Sequence, residues 1–310
     1  MSIPEPPPQS LSRRAHALGL AALLGATFFW STGGVFGRKA GVGGVVLSFW
    51  RMWIATVAMT VVLVVLRRRL TLHDIRRGAF MGVMFGVNVC AFFITLQYIP
   101  VAVALIIGAL TPVMALPIAV VFLGERLTPS KVWCALGAVG GVVAAVLTAP
   151  PSTGGGHSAV GYVWAVVSLL VWVGYILLSK RARQSVGTLQ LMWVLAAGGA
   201  VTVSVIVLVS RANVGTMHGT GWWWVTKLAL GPGLLGHGLF AWAHPRVDAS
   251  VSSVLIQAEP VLASVVAWVM LGQRVSLWEA MSMLVVIVAL SVLAWVETRQ
   301  VSRRPVLNQP

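Results

Sequence analysis

The chain has 310 residues, of which 58% are hydrophobic and 9% charged, whereas an average soluble domain carries about 25% charged residues. Such a composition cannot clothe a water-facing surface, so an all-α membrane protein is expected. The net charge of +15 does not point to nucleic acid, because the basic residues sit between apolar runs rather than on one face of a soluble fold.

Residues 1–15 read as a cytoplasmic N-terminal tail. The apolar run after Arg13 and Arg14 resembles a signal peptide, yet it has a counterpart after residue 158 and nine more runs follow, so it reads as a retained helix. Ten transmembrane helices are predicted at 17–38, 43–66, 77–97, 100–123, 130–149, 158–179, 188–209, 222–243, 247–271 and 275–296. Each approaches the roughly 20 apolar residues that cross a hydrocarbon layer of about 30 Å. A Pro/Gly/Ser-rich linker at 150–157 separates the fifth helix from the sixth, and residues 298–310 form a second cytoplasmic tail.

One fifteen-residue stretch occurs twice. PVMALPIAVVFLGER from Pro112 aligns without a gap on PVLASVVAWVMLGQR from Pro260, with eight identities that include Pro112/Pro260, Gly124/Gly272 and Arg126/Arg274. Apolar composition alone would not place Pro, Gly and Arg in register, so the chain is an internal duplication. A second pair, FFWSTGGVFGRKA with Trp30 and LVWVGYILLSKRA with Trp172, extends it to two five-helix repeats at 16–149 and 158–297. Five is odd, so the second repeat enters the bilayer from the opposite side, giving a 5+5 inverted repeat suited to alternating access.

Loop charge sets the orientation. With the N-terminus inside, cytoplasmic segments hold sixteen Lys and Arg residues and the outer segments five, with Arg51 left over inside the second helix. Both termini are therefore expected on the cytoplasmic side. Trp222, Trp223 and Trp224 suit an interfacial belt. Gly33/Gly37, Gly82/Gly86 and Gly137/Gly141 place small residues one turn apart, where helices can approach closely.

Only Arg51 and Glu259 are formally charged deep within the predicted helices, and charges there are functional candidates by default. Glu259 is a candidate for binding a proton or a cationic substrate, and a permanent Glu259–Arg51 pair is the structural alternative. Asn88, His237, Gln257, Ser252, Ser253, Thr111 and Trp30 add polar atoms at membrane depth. Pro112 and Pro260 are expected at interior helix positions, where each removes a backbone hydrogen bond, and Pro232 with Gly231 and Gly233 should weaken the eighth helix. Breaks at matching positions of two repeats point to a transporter binding site. Cys90 and Cys134 have no metal-ligand spacing, no enzyme signature is present and no cofactor is implied.

Ten helices, the inverted repeat and the two Pro-to-LG[E/Q]R blocks resemble the drug/metabolite transporter superfamily, in the branch built from two EamA domains. The resemblance implies a helical bundle around a central cavity and secondary transport of a small metabolite, amino acid or drug across the inner membrane, most often as export. Membrane lipids and a second copy of the chain are candidate partners. Gln273 departs from the repeat, which has Glu125 there. The cavity is expected between the third, fourth, eighth and ninth helices, with Glu259 near Arg51, Asn88 and His237. A passive channel and a membrane-embedded lipid-modifying enzyme remain as alternatives.

Overall fold

A backbone inside hydrocarbon must satisfy its own hydrogen bonds, and a chain of long apolar runs does so most simply as helices. The computed structural model describes residues 9–123, 128–148, 158–182, 186–243, 246–247, 252 and 255–302, and among these the regular elements are all helical. In chain order they are α1 (Gln9–Lys39), α2 (Gly44–Val65), α3 (Leu72–Tyr98), α4 (Val101–Gly108), α5 (Thr111–Leu123), α6 (Pro129–Thr148), α7 (Ala159–Ala182) and α8 (Thr188–Ser210). A 3-10 turn (Val214–Thr216), α9 (Thr220–Leu228), a π-helical segment (Ala229–Gly236), α10 (His237–Ala243), α11 (Glu259–Leu271) and α12 (Leu277–Ser302) follow.

Seven helices are long and apolar enough to cross a membrane, within α1, α2, α3, α6, α7, α8 and α12. The other predicted helices are interrupted. The fourth breaks at Ala109–Leu110 between α4 and α5, and the eighth passes through the π segment. In the ninth, the turn Gln257–Ala258 precedes α11. This corrects the expected placing of two prolines: Pro112 and Pro260 are each the second residue of a helix, not interior residues. A first-turn proline lacks only an N–H that would have no partner anyway, so each opens a helix instead of kinking one. The proline inside α5 is Pro117, which has no counterpart in α11.

The packing is inside out relative to a soluble protein. Val64, Val65, Leu147, Val209, Val269 and Leu277 are each at least 70% exposed, an apolar exterior that hydrocarbon solvates and water would not. Small residues occupy the contacts between helices. A Cβ on Gly86 would stand 2.8 Å from the Gly199 Cα and one on Gly78 2.5 Å from Val194, so α3 and α8 run parallel in close contact. Buried hydroxyls of Thr27, Ser48, Thr56 and Thr95 donate to the carbonyl four residues earlier in their own helix, which removes the cost of an unpaired donor.

The contacts recur under exchange of the two repeats. α1 packs on α9, the π segment and α10 as α7 packs on α3, and α1 meets α11 as α7 meets α4 and α5. Equivalent helices also meet each other: α2 with α8, α4 with α11, and α6 with α12. Two of these pairs are antiparallel. Ser276 Oγ, just before α12, donates to the Thr148 carbonyl at the end of α6, while Gly137, in the middle of α6, faces Ala289, in the middle of α12. Trp53 Nε1 of α2 donates to Ser204 Oγ of α8 at 3.2 Å, and Trp193 Nε1 of α8 returns the contact to Thr60 Oγ1 of α2 at 2.8 Å.

Candidate transport site

Polar side chains at membrane depth have few partners to choose from, so the partner each one takes shows its task. Asp74 closes a capping box with Thr71 at the start of α3, and Glu279 does the same with Ser276 at the start of α12. Glu259 instead lies in the first turn of α11, half-buried, where the unsatisfied N–H groups of the helix start favour a negative charge. No ion pair joins it to Arg51 among the described residues, which sets aside the permanent Glu259–Arg51 pair. Two residues earlier, Gln257 is buried in the turn that precedes this helix. Ser252 is 3% exposed, and its hydroxyl has no hydrogen-bond partner among the described residues. Ser253 lies outside the described residues.

Arg51, 9% exposed in α2, places its guanidinium carbon 5.3 Å from the centre of the Phe93 ring. Its Nε and Nη2 lie 3.9 Å from where a Cβ on Gly233 would stand, which sets the guanidinium beside the π segment. Pro232 lies inside that segment and packs against Gly33 of α1. A π turn leaves backbone carbonyls without the regular helical donor, and such turns recur at functional sites.

Three residues beyond Gly233, Gly236 meets α1: a Cβ there would come 2.8 Å from Cδ1 and Nε1 of Trp30. Glycine at this position is what lets the indole lie against the backbone. The Trp30 ring centre is 5.1 Å from that of His237 and 5.2 Å from that of Phe240. Phe85 of α3 continues the row, 6.0 Å from His237 and 5.7 Å from Tyr175 of α7, on which Trp172 stacks at 4.9 Å. Among the described residues Trp30 Nε1 is a buried donor without an acceptor.

Asn88 does not join this group. Its amide nitrogen donates to the backbone carbonyl of Ser168 at 2.9 Å and to the Ser168 hydroxyl at 3.0 Å, tying α3 to α7. Thr111 Oγ1 donates to the Gly108 carbonyl across the break in the fourth crossing. The structure thus brings Arg51, Trp30, Pro232 and His237 around one segment and turns Asn88 to packing. Sequence reading passed over Ser168, Phe85, Phe93, Tyr175 and Phe240, because one Ser or Phe among many carries no local mark. The repeat did mark Trp172 as the partner of Trp30.

Gln273 is 7% exposed, and its side-chain oxygen accepts from the Val101 N–H at 3.4 Å. The amide that replaces the acid of the first repeat therefore meets an unsatisfied donor at the start of α4. Its repeat counterpart, Glu125, lies outside the described residues.

One family model, described as the EamA-like transporter family, matches residues 17–147 and again residues 159–295. The family is one of transporters rather than enzymes, and the chain is a multi-pass membrane protein. No curated protein matches the chain. One solved crystal structure of a protein is 22% identical and aligns with a TM-score of 0.62, covering 93% of this chain and 99% of that one. At that identity the likeness is one of fold.

Proposed function

The chain belongs to the EamA-like transporter family, and on that premise we propose that it is a secondary transporter moving a small metabolite, amino acid or drug out of the cell by alternating access. The observation that carries this reading is the position of the breaks. The fourth and ninth crossings are interrupted next to the repeat-related prolines Pro112 and Pro260, and the eighth is opened by a π segment beside Arg51 and Trp30. Discontinuous helices at matching places in two repeats are where carriers bind cargo and change access.

In this reading the ten crossings form a 5+5 inverted repeat in the inner membrane, with both termini cytoplasmic. The antiparallel packing of α6 with α12 and of α2 with α8 supports it, since a two-fold axis in the membrane plane makes equivalent helices antiparallel where they meet. The excess of Lys and Arg in the segments assigned to the cytoplasm supports the orientation. Membrane lipids cover the apolar exterior.

Counterflow in proteoliposomes tests the function. A carrier exchanges labelled cargo against an opposed gradient of unlabelled cargo, whereas a channel gives fast flux and no such overshoot. Candidate cargoes come from comparing metabolites inside and outside cells with and without the protein. If no compound that differs between those cells shows counterflow, the reading fails.

A further inference from the structure

Arg51 is a residue only 9% exposed, and among the described residues its guanidinium has an aromatic face as its neighbour but no carboxylate and no hydrogen-bond acceptor. Desolvating a cation is costly unless an anion or several acceptors compensate. The other charge at this depth, Glu259, has the N-terminal turn of α11 to favour it. Arg51 lies well inside α2 and gains nothing from a helix end. Neither charge has a described partner, and of the two only the cation also lacks a helix terminus of favourable sign.

A second observation points to the same place. The Trp30 Nε1 donor is buried without an acceptor among the described residues, and Trp30 and Arg51 border the same π segment, at Gly236 and Gly233. Two donors, one of them charged, thus flank one turn among the rings of Phe93 and His237. At the same end of the bundle, Lys39 and Lys227 lie over the rings of Trp224 and Trp223, at 5.5 and 4.4 Å, with no described carboxylate beside them. Uncompensated positive charge here raises the local concentration of anions.

We propose that the cargo is an organic anion: a carboxylate that Arg51 binds and Trp30 Nε1 supports, carried on a planar apolar body that lies among the aromatic rings. This rests on the transporter reading and narrows it. Arginine presents two parallel N–H groups that match a carboxylate, and a hydrogen bond to a charged group is stronger than a neutral one.

The test is equilibrium binding of radiolabelled phenylacetate to the purified full chain in lipid nanodiscs, with indole-3-acetate, phenylacetamide and 2-phenylethylamine as competitors. Phenylacetate is expected to bind saturably and to be displaced by indole-3-acetate, with the amide and the amine at least about tenfold weaker. Arg51→Gln should weaken phenylacetate binding about tenfold or more, as loss of a charged hydrogen-bonding partner does. Arg51→Lys keeps the charge but not the fork and should restore part of the affinity, which separates lost recognition from lost folding. Trp30→Phe should weaken phenylacetate more than phenylacetamide. Preference for the amine, binding unaffected by Arg51→Gln, or no saturable binding of any acid overturns the proposal and leaves the carrier reading standing. Saturable binding without counterflow of any bound acid keeps the site and overturns the carrier reading.

Discussion

Gly82 of α3 and Gly198 of α8 face each other so closely that a Cβ on either would stand 2.9 Å from the Cα of the other. No real side chain fits there without moving a helix. Gly82→Ala and Gly198→Ala are each expected to destabilise by about 1–3 kcal/mol, the usual cost of overpacking. Thermal unfolding in detergent measures it, with Gly140→Ala, where a Cβ meets nothing within 4 Å, as the neutral control. Equal melting temperatures for all three variants would refute the close packing of these helices.

The clamp between Asn88 and Ser168 predicts coupling rather than cargo recognition. Asn88→Ala removes both amide bonds and leaves only the long 3.4 Å bond from the Ser168 hydroxyl to the backbone carbonyl of residue 88, while Ser168→Ala keeps the shortest, 2.9 Å bond to its own carbonyl. Asn88→Ala should therefore be the more destabilising. A double-mutant cycle should give a coupling of about 0.6 kcal/mol, within the range of interhelical polar contacts in membranes. Cargo affinity should stay constant through the cycle, and a selective change in it would return Asn88 to the pathway.

Gly236 and Gly238 are two residues apart but differ in what they touch. A Cβ at 236 strikes the Trp30 indole at 2.8 Å, and one at 238 meets nothing within 4 Å. Gly236→Ala should lower transport at least about fivefold by displacing Trp30, a coupling of about 1 kcal/mol or more, while Gly238→Ala leaves it unchanged. Initial counterflow rates of the two variants, at matched protein levels, decide it.

Glu259, unlike Asp74 and Glu279, closes no capping box, and it joins no ion pair among the described residues. If it carries the coupling proton, Glu259→Gln should abolish the pH dependence of transport and cut accumulation driven by a pH gradient at least about fivefold. Counterflow, which needs no net proton movement, should persist. An unchanged pH profile would remove Glu259 from the coupling step.

Much of this architecture is legible in the sequence. The apolar runs located the helices because hydrocarbon leaves the backbone no other partner than itself, and the duplicated block from Pro112 and Pro260 announced two related halves. Hydropathy could not tell a continuous crossing from a broken one. The fourth run carries no charge, yet it turns at Ala109–Leu110, because hydropathy reports the solvent of a segment and not the path of its backbone. For the same reason Pro112 and Pro260 looked like interior kinks and proved to be helix starts.

The sequence by itself determined an all-helical membrane protein, its duplication and the scarcity of charge at depth, since each follows from transfer energy and local pattern. The tertiary structure decided which polar groups meet. Arg51 and Glu259 are the natural pair on paper, but Arg51 lies against Phe93 and the π segment while Glu259 opens α11. Asn88 finds Ser168 eighty residues away. Such partners depend on the rotation of each helix about its axis and on the depth at which it packs, and close contacts such as Gly82 on Gly198 set both.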